Sequence, residues 1–513
     1  MVFGTCAQVL LLLLLLLLAC CVCSLEGATE DVDGESPPGW VQDRFVISAL
    51  NAPPLGLSGR FNGTMDLSLR YAQLRAANFT VVLGQLATGV SAAEPFGNTA
   101  AILSAAEHAG LKVLLLPLLP IGTNSSAAEQ LQFSLSNSSS PALWGWHLAD
   151  EPPDVAQFQQ IAGWKAMIDQ HRPGKLSYVN LLPNSCVHYS QGSLSPPLSS
   201  FTVLSVCLLN VHRCRPWGYN GYDGSEDSYI HQFVSVMKKP QVMSFDLYPY
   251  FEAPDSGAMP TKGCSGCENC STALGDSTPS CCCCNCTRSG YRRSLESHRR
   301  ASLRLGGVPC WVFLNILPYN GHRDPTVGQI AWQVFTALTY GAKGILYFYN
   351  WPDPDPKMYG YGDALIVRKA SPTANGVSGA SIPVADYVPG HHMEEVARIN
   401  SIVLAYGKFL LTATTTAVFH LPASASDGGS HAATLRRSVL LDDLTGGCDC
   451  ASSPGGQGCA LLLQAFEHCG HYLVGEFALD DGRAALMIHN QVLSLSLSLS
   501  LSLSLSLSRA RAI

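Results

Sequence analysis

The sequence predicts an α/β fold, a (β/α)8 TIM-type barrel with a Cys-rich insertion and a small C-terminal antiparallel β domain. Three observations lead to this prediction: eight short apolar runs recur along the chain, helical segments lie between them, and the pattern changes after Tyr406. The chain has 513 residues, of which 47% are apolar, so it can build one large core and a small one. That apolar content also excludes wholesale disorder.

The eight runs are bounded by turn residues, and most of them are apolar on both faces. This pattern is typical of parallel strands that are covered on both sides. The predicted strands are Phe45–Ser48, Phe79–Leu83, Leu111–Leu116, Leu143–Leu148, Leu176–Leu181, Val242–Asp246, Cys310–Leu314 and Gly344–Phe348.

Helical patterns fill the intervals between these runs. A segment from Ala101 to Ala109 stops at Gly110, and another, from Asp154 to His171, carries a broad apolar face. A third has an apolar stripe and ends at Gly341; the stripe consists of Ile330, Val334, Phe335 and Leu338. Eight strands with seven crossovers favour a closed barrel over a doubly wound sheet. No Gly-rich phosphate loop follows the first run, which counts against a dinucleotide-binding fold.

The barrel is expected to cover residues 40–410, with the insertion at 263–288. Short strands separated by Gly and Asp turns then predict a small β domain at 411–492. Its last predicted strand ends where the C-terminal tail begins, so a truncated domain is an open alternative. The predicted strands of this domain are Ala417–Leu421, Val439–Leu441, Leu461–Gln464, Tyr472–Phe477 and Ala484–Asn490.

The two ends of the chain are not expected to belong to the fold. Residues 1–24 contain nine consecutive leucines followed by small residues, which favours a signal peptide over a membrane anchor because the run is too short to span a bilayer. Residues 493–513 begin with a Leu-Ser repeat, typical of a low-complexity tail. We therefore expect a secreted protein with no stable membrane span once the leader is removed.

Secretion predicts glycosylation and disulfides. Six sequons occur, at Asn62, Asn78, Asn124, Asn137, Asn269 and Asn285. Eight cysteines lie between Gly263 and Arg288, and disulfides are favoured over zinc because no histidine is in the cluster. Cys448, Cys450, Cys459 and Cys469 are expected to cross-link the small β domain. A net charge of −7 without a strongly basic domain gives no reason to expect a nucleic-acid partner.

The catalytic residues of a (β/α)8 barrel lie at the C-terminal ends of its strands. The fourth predicted strand leads into Asp150 and Glu151, and the sixth ends at Asp246. Aromatic and amide residues accompany these carboxylates, a combination that suits the apolar faces and hydroxyl groups of sugars. We expect catalytic roles for Glu151, Asp246 and Asp353, and substrate contacts from Trp144, Trp146, Asp150, Asn180, Tyr248, Tyr349, Asn350 and Trp351.

These residues also have a plain structural interpretation. Asp150, Glu151 and Asp154 could serve only the start of the next helix, where the dipole favours anions, and the aromatic residues could be packing groups. No cofactor and no metal ligand is expected on the sequence pattern.

The chain resembles the clan of (β/α)8 glycoside hydrolases that includes the β-galactosidases and cellulases. The resemblance covers about Phe45 to Tyr406 and is carried by Trp144-Gly145-Trp146, Asp150-Glu151-Pro152, Asp246-Leu247-Tyr248-Pro249 and the strand from Gly341 to Trp351. It implies that Glu151 is the acid/base residue. Asp150 stands where the clan has asparagine.

The seventh strand departs further from the clan, which places its nucleophilic glutamate there. No glutamate occurs from Ser297 to Met393, so the second carboxylate would be Asp246, Asp324, Asp353 or Asp355, and an inverting mechanism is open. The leading hypothesis is a secreted glycoside hydrolase acting on an extracellular or cell-wall polysaccharide. The alternative is a non-catalytic glycan-binding or surface protein on the same barrel.

Overall fold

A computed structural model describes residues 39–50, 61–62, 66–85, 99–116, 135, 139–182, 226–250, 288–319, 322–350, 364–368, 382–383, 387–421 and 472–490. The chain divides into two compact units. One consists of Pro38–Ile330 and Ala342–Leu411, and the other includes Ala331–Gly341 and the residues from Thr412 onward.

The first unit is built on eight parallel strands. They are β1 (Val46–Ala49), β2 (Val81–Gln85), β3 (Lys112–Leu115), β4 (Leu143–Asp150), β5 (Leu176–Asn180), β6 (Met243–Asp246), β7 (Cys310–Asn315) and β8 (Gly344–Phe348). Each coincides with a predicted strand to within about two residues at either end, because parallel strands buried on both faces carry a continuous apolar signal.

These strands close into a barrel. One sheet has the order β1-β8-β7-β6 and the other β2-β3-β4-β5, all paired in parallel. The Thr80 backbone N–H donates to the Ile47 carbonyl at 2.9 Å, and the Leu181 N–H donates to the Ser244 carbonyl at 2.8 Å. These two contacts join the sheets at β1/β2 and at β5/β6, and the predicted α/β barrel is confirmed.

Seven helices are bounded within the described residues. They are α1 (Leu67–Ala76), α2 (Thr99–Ala109), α3 (Val155–His171), α4 (Glu226–Met237), α5 (Arg288–Arg304), α6 (Val327–Thr339) and α7 (Met393–Thr412). The predicted stripe on α6 is fully buried. On α3 the inner face is narrower than predicted, since Trp164 is only partly buried and Ala166 is exposed. Of the helices described, none is long and apolar enough to cross a membrane.

Large aromatic side chains fill the barrel interior. Trp144 on β4 stacks on Trp311 of β7 with ring centroids 6.0 Å apart, and Tyr178 of β5 lies 5.2 Å from the same ring. Trp40, which precedes β1, contacts Trp144 at 4.9 Å. These rings belong to the same core cluster as Val46, Leu83 and Phe313, so the barrel is a packed core rather than a pore.

The second unit contains a three-stranded antiparallel sheet. Its strands are β9 (Thr414–Leu421), β10 (Tyr472–Ala478) and β11 (Ala484–Asn490), in that order. They lie where three of the five strands were predicted; the other two, near residues 440 and 462, fall outside the described residues, so the extent of the small domain stays a prediction.

Several other sequence predictions also fall outside the described part of the chain. They concern the leader, the Cys-rich insertion, the four cysteines from Cys448 to Cys469 and the Leu-Ser tail. The one cysteine that is described, Cys310, is buried with a free thiol. The disulfide prediction therefore has no support here and stays a prediction.

Candidate active site

Three neighbouring strands bring polar side chains to one end of the barrel. Asp150 is the last residue of β4, Asn180 of β5 and Asp246 of β6. Asp150 and Asn180 are paired in register, and Leu181 bridges to Phe245 on the next strand. Because the strands are parallel, these residues and Glu151 all emerge at the C-terminal face, where barrel active sites lie.

Glu151 turns the chain sharply as it leaves β4. Its φ is +48°, a left-handed conformation that is uncommon for a residue with a side chain, and its backbone N–H donates to the Asn180 carbonyl at 2.9 Å. Such backbone conformations persist where surrounding contacts impose them, and they concentrate at functional sites. The hydrogen bond holds the turn against β5.

The Asn180 side chain links the two aspartates. Its amide nitrogen donates to Asp150 Oδ1 and to Asp246 Oδ1, each at 3.0 Å. Its carbonyl oxygen accepts from Ser244 Oγ at 3.1 Å. Because the serine hydroxyl has a single hydrogen, Tyr178 must donate its own hydroxyl to Ser244 Oγ, 2.8 Å away. Asn180 is fully buried, so this chain of hydrogen bonds determines its orientation.

The Glu151 and Asp246 carboxyl groups hydrogen-bond to each other. Loss of solvent, and then the charge of Asp150, raise the pKa of Glu151 to about 7. Burial and the charges of Glu151 and Asp150 raise the pKa of Asp246 well above its usual range. None of the described groups that shift these pKa values is a basic side chain, so the pair retains a shared proton at neutral pH.

Exposure differs between the two members of this pair. Counted over the whole residue, Glu151 is exposed to solvent, whereas Asp246 is only partly exposed. The carboxyl group of Glu151 nevertheless lies next to Asp246. Loss of solvent around that group raises its pKa, even though the rest of the residue is exposed. An inner carboxyl group and an accessible outer one therefore share the proton.

The helix-start interpretation applies to Asp154 alone. Its side-chain oxygen accepts from the Gln157 N–H at 2.9 Å, so it is the N-cap of α3. Asp150 and Glu151 precede this cap, and the contacts described above direct them to β5 and β6 instead.

Aromatic residues lie beside the carboxyl pair, though few of them are open. Tyr248 is buried and contacts Tyr319, Phe348 and His322, with ring centroids 5.5, 5.2 and 5.7 Å away. Tyr349 is half-buried, and Asn350 is buried with its backbone N–H donating to the Leu50 carbonyl. Trp351 and Asp353 are outside the described residues, so their predicted roles stay predictions.

The structure does not bring the two predicted tryptophans to this face. Trp144 is the second residue of β4 and packs inside the barrel, and Trp146 is fully buried. Both residues were expected to contact substrate because they closely precede Asp150 and Glu151 in the sequence. Inside a filled barrel, the early residues of a strand lie in the core instead.

The end of β7 carries an amide where the clan that the sequence resembles has a carboxylate. Asn315 is fully buried, and its side chain donates to the Arg323 carbonyl and accepts from the Leu317 N–H, both at 3.4 Å. It serves the loop that follows β7 and offers no nucleophilic oxygen.

Sequence reasoning missed Tyr178 and Ser244, which support the site from below. Each lies two residues before a predicted site residue on the same strand, Asn180 or Asp246. Side chains two apart share one face of a strand, so that spacing was a usable signal. His147 on β4 is buried, with Nε2 3.0 Å from the Ala149 carbonyl oxygen.

No protein-family model matches this chain, and no curated protein matches it significantly. Among solved structures, it is similar to a β-galactosidase from Marinomonas ef1 at 11% identity and a TM-score of 0.35, covering 72% of this chain and 62% of that one. A glycoside hydrolase family 5 mannosidase from Rhizomucor miehei matches at 10% identity and a TM-score of 0.39, covering 71% and 94%. A family 1 β-glucosidase from Thermotoga maritima matches at 10% identity and a TM-score of 0.32, covering 60% and 89%.

The three solved structures named here are glycoside hydrolases, and one of them is a β-galactosidase. The chain spans less than two thirds of the length of the Marinomonas enzyme. Identities near 10% and TM-scores below 0.5 do not transfer a reaction, so the chemistry rests on the residues of this chain.

Proposed function

We propose that the chain is a glycoside hydrolase in which the Glu151–Asp246 pair donates the proton to the glycosidic oxygen. One observation carries the proposal: two carboxyl groups meet at the C-terminal ends of β4 and β6, and burial raises the pKa of both. Cleavage of a glycosidic bond requires a proton at the leaving oxygen.

The two members of the pair have different roles in this proposal. Glu151 is the accessible member and transfers the proton, while Asp246 shares the negative charge that remains. The Asn180 amide donates to Asp246 and to Asp150, so it stabilises that charge through hydrogen bonds already in place. Little rearrangement of the protein is then needed when the proton leaves.

A second carboxylate must act from the other side of the sugar ring. Glu151 and Asp246 cannot supply it together, because carboxyl groups in hydrogen-bond contact are closer than the roughly 5–5.5 Å of retaining enzymes or 6.5–9.5 Å of inverting ones. Asn315 excludes a nucleophile at the end of β7. We assign the second carboxylate to Asp353, which follows β8 in the sequence, and an inverting mechanism.

The substrate in this proposal is an extracellular or cell-wall polysaccharide. The leader at residues 1–24 supports secretion, and Tyr248, Tyr349, Asn350 and Trp351 would form the sugar-binding surface. In that compartment the cysteines between 264 and 286 would be paired. Mass spectrometry of the unreduced protein should show disulfides there, and free thiols with stoichiometric zinc would contradict this part of the proposal.

One observation favours a second function, a non-catalytic glycan-binding protein. The buried Asn315 replaces the carboxylate that the related enzymes carry on the seventh strand, and its hydrogen bonds integrate it into the loop after β7. A barrel that kept its sugar-binding residues but lost the ability to hydrolyse would carry an amide such as Asn315 in place of the catalytic carboxylate.

The decisive experiment measures hydrolysis and binding by the purified full chain on a panel of polysaccharides and aryl glycosides. Glu151→Gln should reduce turnover on polysaccharide by about 10²- to 10⁴-fold, the usual contribution of a general acid. Aryl glycosides with good leaving groups need little protonation and should lose less.

The control is Glu107→Gln, a change at an exposed residue of α2 that lies outside the candidate site. It should leave turnover unchanged. Binding without turnover by the wild-type chain would establish the glycan-binding alternative. Wild-type turnover by a folded Glu151→Gln variant would show that the proton donor lies elsewhere.

A further inference from the structure

Two consecutive histidines face one carboxylate beyond the candidate site. His391 Nε2 lies 3.0 Å from Asp324 Oδ2, and His392 Nε2 lies 2.8 Å from Asp324 Oδ1. One potential ligand atom from each residue lies within 4.8 Å of the other two. Asp324 and His391 are 67 residues apart, so this cluster exists only in the folded chain.

The backbone holds these residues from both sides. Asp324 directly follows Arg323, whose N–H donates to the Tyr250 carbonyl at 3.2 Å, and closely precedes Thr326, whose hydroxyl accepts from the Gln329 N–H at the start of α6. The histidines lie in a turn before α7 in which the Met393 N–H donates to the Gly390 carbonyl at 3.1 Å. A Cβ at Gly390 would collide with the Ala364 carbonyl, so the turn packs closely on its neighbours.

Burial distinguishes the three side chains. The His392 side chain is only 5% exposed and directs its Nε2 at the carboxylate, whereas Asp324 is 44% and His391 50% exposed. A buried, oriented imidazole therefore forms the floor of the cluster, and the other two groups leave it open to solvent. Ions can reach it directly, and water can complete a coordination shell.

We propose that Asp324, His391 and His392 form a binding site for a first-row divalent transition-metal ion of the zinc class. Zinc–nitrogen and zinc–oxygen bonds of about 2.0–2.2 Å place adjacent ligand atoms roughly 3.0–3.4 Å apart, depending on geometry. The two imidazole–carboxylate separations need to grow by only a few tenths of an ångström, and the two imidazole nitrogens need to settle at a similar spacing within the 4.8 Å that encloses the three ligand atoms. Two imidazoles select against Ca²⁺ and Mg²⁺, which prefer oxygen ligands.

The location suggests what a bound ion would do. The same loop carries His322, whose Nδ1 is 3.2 Å from the Tyr250 carbonyl oxygen and whose ring contacts Tyr248. An ion at Asp324 would join this loop to the start of α7. It would thereby brace the aromatic side of the candidate active site, without itself touching the Glu151–Asp246 pair.

The test is calorimetric titration of the chelator-treated full chain with ZnCl₂, repeated with CoCl₂ while the visible spectrum is recorded. Asp324→Asn and His391→Ala both change exposed residues and should fold. Each should remove one bound equivalent relative to wild type. His171→Ala, at the exposed end of α3, is the matched control and should retain that equivalent.

The cobalt spectrum separates this site from the cysteines of the chain. Coordination by imidazole and carboxylate gives ligand-field bands, whereas thiolate ligands add strong sulfur-to-cobalt charge-transfer absorption in the near ultraviolet. We expect the equivalent lost in Asp324→Asn to lack the sulfur band. Equal stoichiometry and affinity in wild type and both variants would overturn the proposal and leave Asp324 as an acceptor of two imidazole N–H hydrogen bonds. Bound cobalt with sulfur bands alone would overturn it as well.

Discussion

At the scale of single residues, the shared proton of Glu151 and Asp246 makes a prediction about pH. The pKa of Glu151 is about 7, so turnover that depends on its proton should decline as the pH rises through 7. Asp150→Asn removes the neighbouring negative charge that, after burial, raises the pKa of Glu151, so this variant lowers that pKa. The alkaline limb of the pH–rate profile should move to lower pH, with about tenfold less turnover at pH 7 for each pKa unit lost. An unmoved limb would show that the charge of Asp150 does not raise the pKa of the group that supplies the proton.

A second buried carboxyl group lies outside the candidate site and bears on stability. Glu226 accepts from Ser294 Oγ at 3.1 Å, and its Oε1 lies 3.6 Å from His298 Nδ1. Burial raises the pKa of Glu226 to about 8 and lowers that of His298 to about 4. Both groups are therefore mostly neutral at pH 7. The contact between them is not an ion pair, although its atoms are within the distance of one.

The resulting prediction concerns the free energy of unfolding of Glu226→Gln. The folded chain keeps the Glu226 proton up to about pH 8, whereas the unfolded chain loses it near the ordinary pKa of 4.5. The bound proton therefore stabilises the fold at low pH, and this contribution is lost as the pH rises from 4.5 to 8. Glutamine keeps the acceptor for Ser294 and does not titrate. Relative to wild type, the variant should gain stability progressively from pH 5 to pH 9, by a few kcal/mol at the end, since each pKa unit corresponds to about 1.4 kcal/mol. Urea unfolding at pH 5, 7 and 9 measures this difference, and a constant difference would contradict the assignment.

Residue identities at the site were predictable, but contacts between them were only partly so. Glu151, Asp246 and Asn180 follow from one rule, that polar residues at strand ends meet at one face of the barrel. The direct contact of the two carboxyl groups depends on the left-handed turn at Glu151, which no local pattern indicates. Trp144 was expected among the substrate contacts, but it is the second residue of β4 and lies in the core of the barrel, several residues below the C-terminal face.

At the scale of elements, the close pairing of β4 and β5 depends on a missing side chain. A Cβ added at Gly145 would collide with the Leu176 carbonyl of β5, the strand that also carries Asn180. Gly145→Ala should therefore destabilise the chain by about 1–3 kcal/mol, as overpacked cores do, and should weaken the contact between Asp150 and Asn180.

Gly163 provides the matched control for this change. It lies on the exposed side of α3, where an added Cβ meets nothing within 4 Å. Alanine at this helical position should stabilise by about 0.4–1 kcal/mol. Urea unfolding of both variants measures the contrast. Equal effects in the two variants would show that Gly145 is not at a close contact.

The barrel strands were the part of the structure that the sequence predicted best. All eight barrel strands follow from short apolar runs, because burial on both faces imposes the same composition whatever the tertiary detail. The helices were harder, since partial exposure is decided by neighbours: Trp164 looks like a core residue in sequence and is only partly buried. The pairing of Phe61–Asn62 with Ile382–Pro383 joins segments more than 300 residues apart and has no local signal.

At the scale of the whole molecule, the division into two units separates the proposed chemistry from the C-terminal sheet. The carboxyl pair and the Asp324 cluster both belong to the unit made of Pro38–Ile330 and Ala342–Leu411. The sheet of β9 to β11 belongs to the other.

The Leu-Ser tail makes the last prediction at this scale. β11 ends at Asn490, which pairs with Tyr472, the first residue of β10, so the described sheet is complete in register before the repeat begins. The tail is free of aromatic residues, and each leucine in it is followed by a serine, so it offers little to bury. A chain that ends at Asn490 should melt within about 2 °C of the full chain, because a tail whose composition offers little to bury contributes little free energy of unfolding. The matched comparison is a chain that ends at Gly482, which removes β11 and should melt far lower. If ending at Asn490 lowers the melting temperature by as much as ending at Gly482, the repeat is part of the fold and extends the β sheet.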